Sequence, residues 1–514
     1  MWQKVIDVIT RVNSAINGVV WGWPVIILIL GTGLLLSIRT GFLQVRKFGD
    51  SLNSTIVPTV KSIGKKKSSQ GNGVSQFEAF ATAISGTVGT GNIIGVTAAI
   101  ITGGPGAVLW MWISAFFGMV TNYAENVLGL YYRKKGKNGF SGGAFYYIEN
   151  GLKKWGPIAK ILAYMAAIVC LFAAVGMSGV QTNKISGTLA NTLGGAFGID
   201  TGSKAETLVK LLIGVIVALI AAVIIIGGIK RIGRVASKLI PLMSLLFIVL
   251  ALIVIGKNIT AVGSAFALIF KDAFKMEAAA GGVVGYAFSM TIKKGMARGV
   301  FSNEAGLGSS VIAHSASETR EPVKQGLWGI FEVFFDTFVI CTLTALMFLT
   351  TFDVTNEALV GADDSAVALQ MFSENFGTFG MICFAIILPL FAFTTIMAWS
   401  YYGEKAAEFC FKWVKSDKKR KNAVLVFKIA YVLFIVFAAV ISGTLVWDID
   451  DTFNGLMSIP NLIALIAMSG TVAKITKNYY QRKKGINVEP MLSAYPELNE
   501  EFKQDIAKDA PEVK

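Results

Sequence analysis

The chain has 514 residues, of which 54% are apolar and only 15% charged, against about 25% charged in ordinary soluble proteins. A mean hydropathy of +0.61 is more apolar surface than a soluble interior can hide; it excludes a disordered chain and leaves an integral membrane protein. The formal net charge of +15 would suggest nucleic acid in a soluble chain, whereas in a membrane chain it reads as Lys- and Arg-rich cytoplasmic loops, and the placement of the charges decides.

At the N-terminus, Trp2, Val5, Ile6, Ile9, Val12 and Ile16 recur at helical spacing. This predicts an amphipathic helix on the membrane surface rather than a cleavable signal peptide. Eleven apolar stretches long enough to cross the bilayer follow, at residues 19–37, 76–101, 104–131, 156–184, 205–228, 239–256, 276–292, 324–350, 374–402, 423–446 and 452–473. Every second connection is basic. Arg39, Arg46 and Lys47 follow segment 1, Arg133–Lys135 segment 3, Lys230, Arg231 and Arg234 segment 5, Lys293, Lys294 and Arg298 segment 7, and Lys405 and Lys412 segment 9. The others are poor in Lys and Arg, and the eighth and tenth carry Asp353, Asp363, Asp364, Asp448, Asp450 and Asp451. The alternation predicts an all-α membrane protein of eleven helices, with its N-terminus outside and its C-terminus inside. No nucleic-acid partner and no obligate protein partner is indicated; the bilayer of the cell membrane is the surrounding.

Cys170, Cys341, Cys383 and Cys410 have no CxxC spacing, and His314 is the single histidine. A disulfide framework, a zinc site and a clustered catalytic centre are therefore not supported, and the protein is read as no enzyme.

Segment 2 holds Ser85-Gly-Thr-Val-Gly-Thr90-Gly-Asn92. Glycines this dense make a poor helix interior, and irregular backbone at membrane depth survives only buried in protein or lining a cavity. Freed amides can hold a carboxylate and freed carbonyls a Na⁺, as in the discontinuous helices of secondary transporters; the rival reading is close packing of small residues. Segment 7 carries a parallel run, Ala280-Gly-Gly-Val-Val-Gly285-Tyr-Ala-Phe-Ser289. Two interrupted, oppositely directed helices five segments apart predict inverted repeats of segments 2–6 and 7–11, with segment 1 peripheral. The domains are then 1–75 (surface helix, peripheral segment and basic loop), 76–256 and 257–475 (the two repeats) and 476–514, a tail read as disordered.

Elsewhere in the apolar segments, Thr394 and Thr395 either offer hard hydroxyl ligands or bond their own helix. Gln181 and Asn183 are ligand contacts or interhelical glue. Glu332 and Asp336 lie one turn apart, Asp336 being the better coupling candidate. Glu125 reads as paired with a loop cation, and residues 298–310, on the inner face after segment 7, as a cytoplasmic gate or an ordinary structured loop.

The runs Gly86-Thr-Val-Gly-Thr-Gly-Asn-Ile-Ile-Gly95, Gly103-Gly-Pro-Gly-Ala107, Tyr123-Ala-Glu125, Arg298-Gly-Val-Phe-Ser-Asn-Glu-Ala-Gly-Leu-Gly308 and Trp399-Ser-Tyr-Tyr-Gly-Glu404 resemble the alanine or glycine:cation symporter (sodium:alanine symporter) family. The resemblance implies the leucine-transporter fold with one extra N-terminal helix, and Na⁺- or sometimes H⁺-coupled uptake of small neutral amino acids such as alanine, glycine, serine or glutamine. A proton-coupled symporter and a non-transporting amino acid sensor are the alternatives. It implies substrate contacts at Thr87, Gly89, Thr90, Gly91, Gln181, Phe288, Ser289 and Trp399. It also implies a sodium site from Ser85, Val88, Phe391, Thr394 and Thr395, and a second cation position at Asn92 and Asp336.

Overall fold

The computed structural model describes residues 2–61, 73–136, 139–200, 202–274, 282–354, 359 and 361–509. The principal helices, in chain order, are α1 (Trp2–Val20), α2 (Trp23–Thr40), α3 (Gln76–Thr87), α4 (Ile94–Gly103), α5 (Ala107–Tyr131), α6 (Pro157–Phe197), α7 (Lys204–Ile226), α8 (Gly228–Lys257), α9 (Ile259–Ala273) and α10 (Gly282–Asn303). They continue with α11 (Pro322–Thr351, π-helical over Phe334–Cys341), α12 (Asp364–Phe376), α13 (Thr378–Cys410), α14 (Asp417–Ala438), α15 (Gly443–Lys483) and α16 (Pro496–Asp509). The strands among the described residues are a hairpin, β1 (Lys134–Gly136) with β2 (Gly139–Ser141), paired antiparallel.

Nine helices among the described residues are long and apolar enough to cross a membrane. Their outer faces carry the apolar residues that a soluble fold would hide: Leu219, Val223 and Ile226 on α7, Leu242 and Leu245 on α8, Leu433 and Phe437 on α14 are all exposed. Side chains of this kind belong against lipid. Inside, α6 runs along α13 and α15, and α5 along α10 and α11, around the fully buried Trp328, Trp399, Tyr123 and Tyr402.

Local chemistry sets the helix ends that matter. Ser75 caps α3 in a reciprocal box with Glu78, satisfying two free amides. The chain stops being α-helical after Thr87, passes through Gly89 in an extended conformation (φ −133°, ψ −156°), and makes one 3₁₀ turn over Thr90–Asn92 before α4. The expected break in segment 2 is therefore present.

The second break lies elsewhere than the glycine run suggests. Residues 275–281 are outside the described residues, but Gly282–Asn303 is one continuous helix. The helix gives way only at Glu304, where φ turns positive at Glu304 (56°), Gly306 (93°) and Gly308 (75°), the left-handed region that glycine tolerates best. A single turn, Val311–His314, follows. Residues 299–317 are all buried, so this stretch is a second interrupted helix packed into the bundle rather than an ordinary structured loop.

That shift relocates charge. Lys293, Lys294 and Arg298 are helical rather than part of a basic loop, and Arg298 Nη1 lies 3.5 Å from Asp451 Oδ1. They sit at the end of the bundle that carries Asp363, Asp364, Asp448 and Asp451, here termed the acidic end; Lys134, Lys135, Lys405 and Lys412 mark the basic end. At the acidic end α1 docks on α15, with Asn17 donating to Asp451 and Thr452 (3.1 Å each) and Trp21 Nε1 to the Asp451 carbonyl (3.1 Å). The tail beyond 476, read as disordered, continues α15 and then forms α16.

Candidate functional site

The first break diverts backbone partners. The Gly89 N–H, which a helix would give to Ser85, goes to Asn92 Oδ1 (2.9 Å). The Thr90 N–H, which would serve Gly86, goes to Gln181 Oε1 on α6 (3.3 Å). Asn92 N–H binds the Gly89 carbonyl (3.3 Å) instead of that of Val88. The carbonyls of Ser85, Gly86 and Val88 thus lose their helical donors inside a fully buried stretch, where an unmet carbonyl seeks another partner. The Thr90 hydroxyl is buried with no hydrogen-bond partner.

Helix α13 passes this break at very short range. A Cβ on Gly89 would stand 2.5 Å from Thr395 Oγ1 and 3.5 Å from Gln181 Nε2, so only glycine permits the approach. Thr394 and Thr395 both donate to the Phe391 carbonyl (2.9 and 3.1 Å). Their hydroxyl oxygens, the Phe391 carbonyl and the released carbonyls of α3 are neutral oxygen donors, the chemistry a small hard cation takes. Among the described residues no cluster of three His, Cys, Asp or Glu suits a transition metal.

The second break closes on the first. Glu304 accepts from Trp399 Nε1 at Oε1 (3.0 Å) and from Ser309 Oγ at Oε2 (2.5 Å). A Cβ on Gly86 would meet Glu304 Oε1 at 3.1 Å and Tyr402 Oη at 2.8 Å. Glu125 on α5 holds the turn open: its Oε1 accepts from Gly306 N–H and Gly308 N–H (3.1 Å each) and from Asn461 on α15. Glu125 is therefore a buried cap for the second break, not a partner of a loop cation. Phe301, one turn before, stacks on Trp447 (5.5 Å between centroids) and would touch a Cβ on Gly91 at 3.5 Å.

Of the sequence-predicted residues, Ser85, Thr87, Val88, Gly89, Thr90, Gly91, Gln181, Phe391, Thr394, Thr395 and Trp399 surround these two breaks. Phe288 and Ser289 do not. They lie inside α10, half-exposed, with Phe288 against Trp110, and at 1.5 Å per residue they stand about 20 Å before the end of that helix. The helix breaks at Glu304, away from both residues. Phe301 and Glu304 stand beside the breaks instead.

Asn92 and Asp336 do meet: Asn92 Nδ2 donates to Asp336 Oδ1 at 2.6 Å, and Ser302 and Thr337 donate to Oδ2 at 2.9 Å each. Glu332 points elsewhere, to His314 Nε2 (2.7 Å), whose Nδ1 meets Gln325. Asn183 binds the Ala438 and Ile441 carbonyls and is interhelical glue.

Two cavities flank the breaks. One, of about 590 Å³, opens at the acidic end, lined by Lys184, Arg298, Asp363, Asp364, Trp447 and Asp448 among others. The other, of about 800 Å³, opens at the basic end beside Gly73, Ala316, Tyr401 and Lys405. At the basic end the two interrupted helices are zipped together: Val74 N–H donates to the Ala316 carbonyl (3.3 Å) and Glu318 N–H to the Val74 carbonyl (2.9 Å).

Two interrupted helices crossing in a lipid-facing bundle are the mark of a secondary transporter, and comparison with known proteins agrees. The family model of the sodium:alanine symporter family matches residues 6–492. The chain belongs to that family. It is 38% identical over 488 residues to the sodium/alanine symporter AgcS of Methanococcus maripaludis, covering 93% of this chain and 98% of that one. It is 36% identical over 481 residues to the amino-acid carrier protein AlsT of Bacillus subtilis, covering 92% and 94%. Among solved structures it resembles MhsT in complex with L-phenylalanine, with TM-score 0.54 at 15% identity over 79% of this chain and 98% of that one. This likeness shows the leucine-transporter fold. This sodium:alanine symporter family member is thus a multi-pass cell-membrane transporter and not an enzyme.

Proposed function

We propose that the protein is a Na⁺-coupled symporter that brings small neutral amino acids (alanine, glycine, and also serine or glutamine) into the cell by alternating access. The observation that carries this reading is the meeting of two interrupted helices at Gly86, Glu304 and Trp399, with carbonyls released opposite Thr395. An amino acid presents a carboxylate and an ammonium, and both must be met where water is scarce. Thr87, Gly89, Thr90 and Gly91 offer amides and hydroxyls to the carboxylate, with Gln181 steadying the break. The Glu304 carboxyl group puts acceptor oxygens where the ammonium arrives, and Trp399 bounds the side chain. Na⁺ would take the carbonyls of Ser85, Val88 and Phe391 with the hydroxyls of Thr394 and Thr395. By joining α3 to α13, the ion would order the break and raise amino acid affinity.

In this reading the basic end faces the cytoplasm, the N-terminus lies outside, and the interrupted helices add two crossings to make eleven, in repeats of segments 2–6 and 7–11. The membrane potential then assists Na⁺ by about 2.3 kcal/mol per charge per 100 mV. A second cation, or a proton, would use Asp336 with Asn92; the buried carboxylate beside the first break favours this addition.

The placement is tested by Thr394→Ala/Thr395→Ala. Each loses a donor bond to the Phe391 carbonyl, and their joint removal is expected to abolish stimulation of alanine uptake by Na⁺ while leaving the folded protein. Undiminished Na⁺ stimulation would place the ion elsewhere.

A further inference from the structure

The segment after Lys483 does not hang free. It returns across the basic end as an extended stretch and then α16. Ala494 N–H donates to the Tyr131 carbonyl (2.8 Å) and Tyr495 Oη to the Tyr132 carbonyl (3.3 Å), both at the end of α5. Asn478 and Asn499 tie the stretch to α15 and α16 through Glu489, Met491, Leu492 and Ser493. Leu492 and Phe502 are buried on this surface, with Phe502 edge-on to Phe140 of β2 (5.9 Å).

What the tail covers is the junction that zips the two interrupted helices together at Val74. Arg133, 1% exposed, donates to the carbonyls of Ser317 (2.5 Å), Ser315 (3.3 Å) and Thr319 (2.5 Å). These belong to the stretch zipped to Val74. Burial disfavours its charge and lowers its pKa to about 9, so at neutral pH the guanidinium stays charged and depends on those carbonyls. Its faces are met by the rings of Phe140 (3.8 Å) and Phe502 (5.5 Å). One residue beyond the zipped stretch, Arg320 Nε pairs with Asp505 of α16 (3.2 Å), and Lys135 of β1 pairs with Glu501.

We propose that the C-terminal tail is a latch on this junction: α16 bridges the end of α5, the hairpin and Arg320, and thereby favours the state closed at the basic end. The inference rests on the alternating-access reading above. To open this end, residues 315–320 must leave Val74. Moving them away from α5 breaks the Arg133 bonds, and moving them with respect to the tail breaks the Arg320–Asp505 pair. The tail's contacts therefore differ between the two states, which is the condition for shifting their populations. Phe502 also excludes water from Arg133, which strengthens its charge-assisted bonds.

The test uses the full transporter in proteoliposomes, with two variants: deletion of 486–514, and the point variant Glu501→Ala/Phe502→Ala/Asp505→Ala, which keeps the chain length. Ala316→Cys in a Cys410→Ser background reports opening through its labelling by a membrane-impermeant maleimide from the tail side, with alanine counterflow as the second readout. Loss of two exposed ion pairs and one ring face predicts labelling and counterflow faster by about fivefold. Unchanged labelling in both variants, with melting temperatures preserved, overturns the latch; if the deletion fails to fold, the point variant decides. Faster labelling with no amino acid transported under any ion gradient would keep the latch and refute the symporter reading.

Discussion

Gly89→Ala is the sharpest single perturbation of the site. A methyl at this position would lie 2.5 Å from Thr395 Oγ1, where ordinary contact begins near 3.4 Å, so α3 and α13 must separate by close to 0.9 Å or the break must refold. Overpacking of this kind costs about 1–3 kcal/mol. Borne by the state in which Na⁺ joins the two helices, that strain corresponds to a loss of Na⁺ affinity of roughly 5- to 150-fold. The assay is the Na⁺ concentration for half-maximal alanine uptake in proteoliposomes, alongside the melting temperature in detergent. The double variant Gly89→Ala/Thr395→Ala removes the clashing oxygen. It should recover the melting temperature but not the Na⁺ affinity, because the hydroxyl is itself a proposed ligand. A Gly89→Ala protein with a Na⁺ dependence within twofold of the parent would refute the argument that α13 meets the break here.

Two further outcomes are expected. Trp399→Ala widens the space beside Glu304 and removes its donor, so a competition series should shift from alanine toward glutamine; an unaltered order of preference counts against Trp399 as the boundary. Glu125→Ala leaves the Gly306 and Gly308 amides and Asn461 without their acceptor inside the bundle, at about 1–3 kcal/mol per group. It should therefore lower the melting temperature and transport together, and a variant transporting at the parent rate would show that the second break does not need its cap.

The first break was legible because Gly86, Gly89 and Gly91 alternate with Thr and Asn in an otherwise apolar stretch, a combination that neither a good helix nor a simple packing seam needs. The second was misplaced for a physical reason. The glycines at 281–285 suggested a break, and Lys293, Lys294 and Arg298 suggested that the membrane ended there. The sequence does not reveal that Arg298 finds Asp451, nor that Lys294 stands near Asp448 and Asp451. The signal that could have located it was present: Asn303-Glu-Ala-Gly-Leu-Gly-Ser-Ser310 has the same mix of glycine and short polar residues as Ser85–Asn92. Glu125 was misread because its partners are backbone amides about 180 positions away, and the tail because low hydropathy hid the few apolar residues, Leu492, Leu498 and Phe502, that dock it.

A Na⁺ gradient is expected to drive amino acid accumulation through the paired breaks. Purified protein in proteoliposomes, given an inward Na⁺ gradient at equal pH on both sides, is predicted to concentrate labelled alanine above the external level and to lose that accumulation when the gradient is collapsed. Accumulation driven by a proton gradient alone and indifferent to Na⁺, or none under any inward ion gradient, would contradict the account.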